Sequence, residues 1–241
     1  MSSEPVPKAI IFCHEPSGQA CRVEERLTQR GFDVHSHLVT ADPDKPNEAK
    51  PFPSLEAYDV LVVMGSIRSL TRKHEIDSWI HDEMKLVRAA HESDLPVLGV
   101  CFGGQLLAET LGGAVEVSPA PELGWLEIDS IDGEDNPVGA GPWMEWHDDR
   151  FAPPPGATVL AQTESAVQLF RIGKSVGTQF HPEVDLAHIA NFVEGTTDAH
   201  LAEYDTDRET VLADAAFHEA ANIKQCHALV DWFLDKVAFG Q

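Results

Sequence analysis

PVLGVCFGGQLLAETL, residues 96–111, runs from a strand to a helix through a single turn. Pro96 to Val100 is a short continuous apolar run, which reads as a buried strand, and Gly104 to Leu111 has the spacing of a helix. Between them Cys101 is flanked two positions away on either side by Gly99 and Gly103. A chain that turns from strand to helix in one residue crowds its neighbours. Positions 99 and 103 therefore favour residues without a β-carbon, while the residue at the apex is held strained and exposed. A cysteine at that apex sits over a helix N-terminus, whose dipole and free N–H groups favour the thiolate. The next N–H, that of Phe102, points toward a developing oxyanion. This is a nucleophile-elbow pattern, although taken alone it equally describes a buried cysteine at a glycine-containing strand end.

Outward from the elbow, the same texture continues. Lys8 to His14 reads as a buried strand, Ala20 to Arg30 as a helix ended by Gly31, and Phe32 to Val39 as a second strand. Ala41 to Ser54 holds four prolines and several charges and reads as a surface loop; Asp59 to Met64 is a continuous apolar strand ended by Gly65. Ile76 to Glu92 reads as a long amphipathic helix. Strands alternating with helices predict an α/β fold, a mostly parallel sheet with helices on both faces, whose ligands sit beyond the carboxyl ends of the strands. Gly65 and Cys101 both fall there. From Gly124 to Gln179 short strands and Gly/Pro turns (ATVLAQT, AVQLFRI, SVGTQF) predict a small antiparallel extension of the same sheet, and Leu186 to Ala238 is predicted helical. With no repeat, low-complexity tract or interdomain linker, residues 1–241 read as one domain.

Gln179-Phe180-His181-Pro182-Glu183 supplies partners for the thiol. Proline biases the residue before it toward an extended backbone, which fixes the direction of the His181 side chain at a strand end. Glu183, two residues on, can reach the far nitrogen of the imidazole, set its tautomer and stabilise the imidazolium formed when His181 takes the thiol proton. His-Pro-Glu alone is more often a turn. Joined to an elbow in this strand order, it becomes a specific signal.

In combination these residues resemble the class I glutamine amidotransferases, particularly stand-alone members similar to the glutaminase domain of GMP synthase. The family's G-x-C-x-G-x-Q is present as Gly99 to Gln105, its E-x-G-W-like turn as Glu122-Leu123-Gly124-Trp125, its W-H-x-D as Trp146 to Asp149, and its Q-F-H-P-E as Gln179 to Glu183. The resemblance implies a flavodoxin-like sheet and a Cys101-His181-Glu183 triad. Cys101 would attack the side-chain amide of glutamine, His181 would protonate the departing ammonia, and water would hydrolyse the γ-glutamyl thioester. It also implies oxyanion donors on the backbone of Phe102, Gly65 and Ser66, and substrate held at Gln105 and Gly103, with the His147 segment at the pocket rim. One departure stands out: the family's Gly-Gly-Pro is here Gly65-Ser66-Ile67. Losing the proline removes a constraint on a peptide that must be well placed, and a misplaced donor typically costs about 2.7–4 kcal/mol of transition-state stabilisation.

Other functions are disfavoured. The formal charge is −23, from 40 acidic and 17 basic residues, and such a field repels nucleic acid and anionic membranes. Cys13, Cys21, Cys101 and Cys226 contain no C-x-x-C pair, so neither a zinc site nor a compact disulfide framework is expected, and a reducing, cytoplasmic setting fits best. Cys13 reads as a core thiol; Cys21 and Cys226 fall on helices with no basic neighbour to activate them. The first residues, MSSEPVPKAIIFCHEP, have Pro and Glu where a signal peptide needs a basic region and a long apolar run, and no stretch approaches about 18 apolar residues, so neither export nor membrane spanning is expected. His147-Asp148-Asp149 and His35-Ser36-His37 lack a further ligand at metal spacing, Asp129 to Asp135 reads as a turn, and Gly173-Lys174-Ser175 as a hairpin. No metal or cofactor is expected. Trp125, Trp143 and Trp146 read as core or pocket wall.

Four functions remain: a glutaminase passing ammonia to a separate synthetase, since the sequence contains no synthetase segment; a γ-glutamyl peptide or conjugate hydrolase; a non-catalytic regulatory subunit; and a cysteine α/β-hydrolase. The last is ranked lowest because its acid normally precedes its histidine in the chain. A homodimer stays open.

Overall fold

The computed structural model describes residues 5–131, 137–139 and 141–240, so the expected turn at Asp132-Gly133 lies outside the described residues. The apolar runs form the sheet centre. β1 (Lys8–Cys13), β2 (Asp33–Leu38), β3 (Val60–Val63) and β4 (Val97–Val100) pair in parallel in the order β2-β1-β3-β4. Late in the chain, β10 (Ser175–Thr178) joins β4, also in parallel. The resulting 2-1-3-4-10 order is the flavodoxin-like arrangement, with its topological switch point between β1 and β3. Successive strand residues face opposite sides, so each strand feeds two cores. Ile11, Val62 and Val100 pack on one side, Ile10, Leu61 and Val97 on the other.

Helices cover both faces. α1 (Cys21–Gln29) lies on the first side; α2 (Ile80–Glu92) and α3 (Phe102–Thr110) lie on the second. The helix expected from Ile76 begins four residues late: Leu70–Glu75 is a 3₁₀ stretch broken at Arg72, and Ile76 and Trp79, with φ −131° and −139°, leave helical geometry at either end of the turn that leads into α2. β5 (Ala114–Leu126), β6 (Asp129–Ser130), β7 (Trp143–Ala152), β8 (Thr158–Gln162) and β9 (Val167–Ile172) follow α3. β9, β8 and β6 extend the main sheet beyond β10, each antiparallel to its neighbour, as expected, and Gly173, with φ 55°, makes the β9–β10 hairpin.

β5 and β7 do not join that sheet. They form their own two-stranded antiparallel ribbon, with Glu122 opposite His147 and Trp125 opposite Met144, so Glu122 to Trp125 is strand where a turn was expected.

The C-terminal region is helical: α4 (Leu186–Gly195), α5 (Asp198–Ala202) and α6 (Arg208–Trp232), which ends in a wider turn over Phe233–Ala238. α6 shares the core under α1, and the two helices are laced by ions. Arg22, Arg26 and Arg30, one turn apart on one face of α1, reach Glu219, Asp231 and Asp235. All are partly exposed, so each pair contributes about 1 kcal/mol or less. Among the described residues no helix is long and apolar enough to cross a membrane.

Candidate active site

Four chain segments meet beyond the carboxyl edge of the parallel strands. His14 and Glu15 follow β1, Gly65 and Ser66 follow β3, Cys101 follows β4, and His181 follows β10. Cys101 takes φ 50° and ψ −105°, a backbone conformation that a side chain rarely tolerates, so the expected strain is present; the expected exposure is not, because the residue is only 6% exposed at the floor of a cavity. The elbow glycines are needed for close approach. A β-carbon at Gly99 would lie 2.4 Å from the Gly103 carbonyl oxygen, and one at Gly103 would lie 2.0 Å from that of Val63. Gly103 thus packs against β3 and is not on the cavity wall, whereas Phe102 and Gln105 are.

His181 is fixed by its main chain and by Glu183. Its N–H donates to the Met144 carbonyl on β7 at 2.7 Å, and its Nδ1 lies 2.7 Å from Glu183 Oε1. Both side chains are nearly buried. Burial opposes charge on the ring, but the Glu183 carboxylate, and after it the Cys101 thiol, more than offset this and hold the imidazole pKa well above the usual histidine value. Glu183 shows the converse: burial pushes it up, His181 pulls it further down, and it ends below the usual range. The second ring nitrogen, Nε2, is buried without a well-formed hydrogen bond. Such looseness is common before substrate binds. A β-carbon placed on Gly65 would sit 3.2 Å from His181 Cε1 and 3.8 Å from Cys101 Cβ, so thiol, imidazole and the Gly65 backbone border one space.

Gln105 is buried, and its amide nitrogen donates to the Asp149 carbonyl at 3.0 Å, with Gln179 Oε1 at 3.5 Å. Gln179 in turn approaches Cys101 Sγ at 3.8 Å. Trp143 is a core residue against Phe180; Trp146 meets Phe192 edge-on and lines the cavity; Trp125 stacks on His218. The cavity itself is about 760 Å³, within the roughly 300–1,000 Å³ usual for ligand sites. It runs from Cys101 past Trp146 to Asn191, Thr196 and His200 on the α4–α5 side.

Two sequence expectations gain detail, and the first, an unactivated Cys21, still holds. Cys21 does have a basic neighbour, His188, whose Nδ1 is 3.5 Å from the sulfur. Burial nevertheless pushes that thiol up to about 12, so it stays protonated, as do buried Cys13, also pushed up to about 12, and Cys226.

The second concerns His147. The β5–β7 ribbon gathers Glu122, Glu145 and His147 so that one ligand atom from each lies within 4.8 Å of the others, a donor set that could hold a cation. His147 Nδ1 donates to the Asp149 carbonyl, and Nε2 lies 3.1 Å from Glu122 and 3.3 Å from Glu145. Burial opposes charge on His147, but the two carboxylates raise it to about 10. Burial dominates at Glu145, raising it from 4.5 to about 7 despite His147. The folded protein therefore holds a proton on Glu145 that the unfolded chain releases, and stability falls as pH rises from about 4.5 to 7. Glu145→Gln is expected to match wild type at pH 4 and exceed it at pH 8 by about 1–3 kcal/mol, read from urea midpoints. A difference independent of pH would contradict this.

A flavodoxin-like sheet with a strained elbow thiol and a carboxylate-bound imidazole at its carboxyl edge places the protein in the class of α/β proteins with an elbow cysteine. The model of the family Glutamine amidotransferase class-I matches residues 21–193, and the chain belongs to that family. One subunit of the glutamine-hydrolyzing GMP synthase of Sulfurisphaera tokodaii is 31% identical over 156 residues, 61% of this chain and 77% of that one. The glutamine-hydrolyzing GMP synthase of Aeropyrum pernix is 42% identical over 97 residues, 37% of this chain and 19% of that protein; the match thus spans about a fifth of that relative's length. A crystal structure of a glutamine amidotransferase from Thermotoga maritima superposes with a TM-score of 0.82 at 21% identity, covering 97% of this chain and 100% of that one, a likeness of fold.

Proposed function

We propose that the protein hydrolyses the side-chain amide of glutamine to glutamate and ammonia through a thioester on Cys101. One observation carries the reading: an elbow thiol, the His181–Glu183 pair at 2.7 Å and an open cavity share one space. Cys101 Sγ attacks the amide carbon, and the charge that forms on oxygen is met by the N–H of Phe102 at the start of α3 and by an N–H of the 65–66 loop. His181, protonated by the thiol, passes that proton to the leaving ammonia. It then takes one from the water that attacks the thioester, releasing glutamate and restoring the thiol. Glu183 keeps the Nδ1 proton in place throughout. The ammonia is passed to a separate synthetase, by analogy with relatives named as one subunit of a glutamine-hydrolyzing GMP synthase.

A second substrate class is favoured by the reach of the cavity to Asn191, Thr196 and His200, which leaves room for a group attached to the γ-nitrogen. Glutamate release from glutamine and from a γ-glutamyl dipeptide, for wild type and Cys101→Ala, separates the readings. Release from glutamine that is lost in the variant supports the glutaminase. Release from the dipeptide alone moves the assignment to a γ-glutamyl hydrolase, and no release from either sinks a self-sufficient hydrolase, leaving a glutaminase silent without its synthetase or a binding protein.

A further inference from the structure

The loop after β3 is gripped from two sides by the two residues that follow β1. His14 Nδ1 donates to the Gly65 carbonyl at 3.1 Å, and its Nε2 lies 3.1 and 3.2 Å from the two oxygens of Glu83 on α2. Both side chains are fully buried. The ring stacks on Trp79, with centroids 5.5 Å apart, and meets the ring of Phe102 edge-on at 4.7 Å. Next door, Glu15 accepts a hydrogen bond from Ser66 Oγ at 2.8 Å, and the same Oγ accepts from the Arg68 N–H at 3.0 Å. Arg68 Nε approaches Glu15 at 3.7 Å.

These contacts define the orientation of one peptide. A carbonyl oxygen can only accept, so the Nδ1 proton of His14 points at Gly65 whether or not the ring is charged. Burial opposes that charge, but Glu83 raises the ring to about 9, so a double donor persists at neutral pH. In a trans peptide the C=O and the following N–H point in opposite directions. A Gly65 carbonyl held toward His14 therefore turns the Ser66 N–H the other way, toward the side of the peptide on which the Gly65 α-carbon lies, and a β-carbon on Gly65 would meet His181 Cε1 at 3.2 Å and Cys101 Cβ at 3.8 Å. The grip also accounts for a sequence without the family's Gly-Gly-Pro. Where proline would restrict the backbone, Gly65-Ser66-Ile67 is restrained by side chains.

We propose that His14, braced by Glu83 and joined by Glu15, is a positioning residue that fixes the Gly65–Ser66 peptide with its N–H toward the Cys101 thiol, so that the second oxyanion donor is in place before substrate or partner binds. The proposal rests on Cys101 acting as the nucleophile. It also makes full glutaminase turnover independent of any synthetase.

The test compares three replacements of His14 that differ in which ring nitrogen they imitate. Asparagine puts an amide N–H close to the position of Nδ1, glutamine puts one near Nε2, and alanine provides neither. The wild-type protein without partner should release glutamate. His14→Asn is expected to keep kcat within about tenfold of wild type. His14→Gln and His14→Ala should lose on the order of 10²–10³-fold in kcat with little change in KM, the usual effect of one oxyanion donor. Alkylation of Cys101 by iodoacetamide, which needs the thiol but no oxyanion hole, should stay near the wild-type rate in all three. Ser66→Ala, which removes the Glu15 side of the grip together with the acceptor of the Arg68 N–H but leaves His14 in place, should lose several-fold in kcat and guards against a His14 variant that does not fold. Three His14 variants with wild-type kcat, or three that lose activity and alkylation together, would overturn the proposal. A wild-type protein silent toward both glutamine and the γ-glutamyl dipeptide removes the reading of a self-sufficient hydrolase and this proposal with it. An active wild type with indifferent His14 variants removes the proposal alone.

Discussion

Cys101→Gly is expected to abolish glutamate release while leaving the protein at least as stable as wild type. Loss of a nucleophile from a triad that acts as a unit typically costs about 10⁴–10⁶-fold in kcat. The stability half of the prediction comes from the backbone. At φ 50° and ψ −105° Cys101 occupies a conformation that glycine adopts freely. Relief of such strain is worth about 1–3 kcal/mol, against about 1 kcal/mol for the buried thiol that is lost. The balance lies between zero and about 2 kcal/mol, or a melting temperature unchanged to a few degrees higher for a chain of this size. A fall of several degrees would mean that the elbow stores no strain. Residual turnover within tenfold of wild type would mean that another group is the nucleophile.

Glu183→Gln carries the other large effect. The expected fall in kcat/KM is on the order of 10²–10⁴-fold, because an amide in place of the carboxylate no longer fixes the imidazole tautomer or offsets its charge. The sign of the pH effect follows from the pair. Glu183 is the chief influence raising His181, so the variant's imidazole loses its proton at lower pH, and the basic limb of the pH–rate profile moves downward. Stability changes in a defined window as well. The raised histidine pKa stabilises the fold fully below its unfolded value near 6.5 and less as pH climbs through the folded value. The depressed Glu183 pKa stabilises above its unfolded value near 4.5 and is lost as pH falls. The wild-type advantage in urea midpoint should thus be largest between about pH 4.5 and 6.5. A basic limb that does not move would argue against Glu183 as the imidazole's partner.

Much of this was readable in the chain because the signals are local. Gly99, Cys101 and Gly103 are adjacent in sequence as in space, and so are His181 and Glu183. The strand runs are continuously apolar because both faces are covered. The β5–β7 ribbon was harder to read. Pro119 and Pro121 interrupt β5, its residues are largely exposed, and the pairing shifts register between Val117 and Glu122. A strand built that way lacks the alternation by which strands are recognised. The buried groups around the site were hidden for a different reason. His147 meets Glu122 from 25 positions away, His14 meets Glu83 from 69, and Cys21 meets His188 from 167. No spacing rule spans such separations. Only the strand order, which brings β1 beside β3 and Glu83 beneath both, creates the grip on Gly65.

The division of labour around the cavity has a consequence for how such a protein can diversify. The thiol, the imidazole and the Gly65 loop are anchored to the parallel sheet, whose residues touch neighbours on every side. The outer walls come from elsewhere: Trp146 to Asp149 from the ribbon, Asn191 to His200 from the α4–α5 corner. The ribbon also holds the His181 N–H and the Gln105 amide through main-chain carbonyls of Met144 and Asp149, so the α4–α5 corner is the wall where insertions or substitutions can reshape what enters the cavity while leaving those two contacts in place. Chemistry and selectivity are therefore carried on separately heritable parts, and a lineage can change its substrate while keeping its reaction.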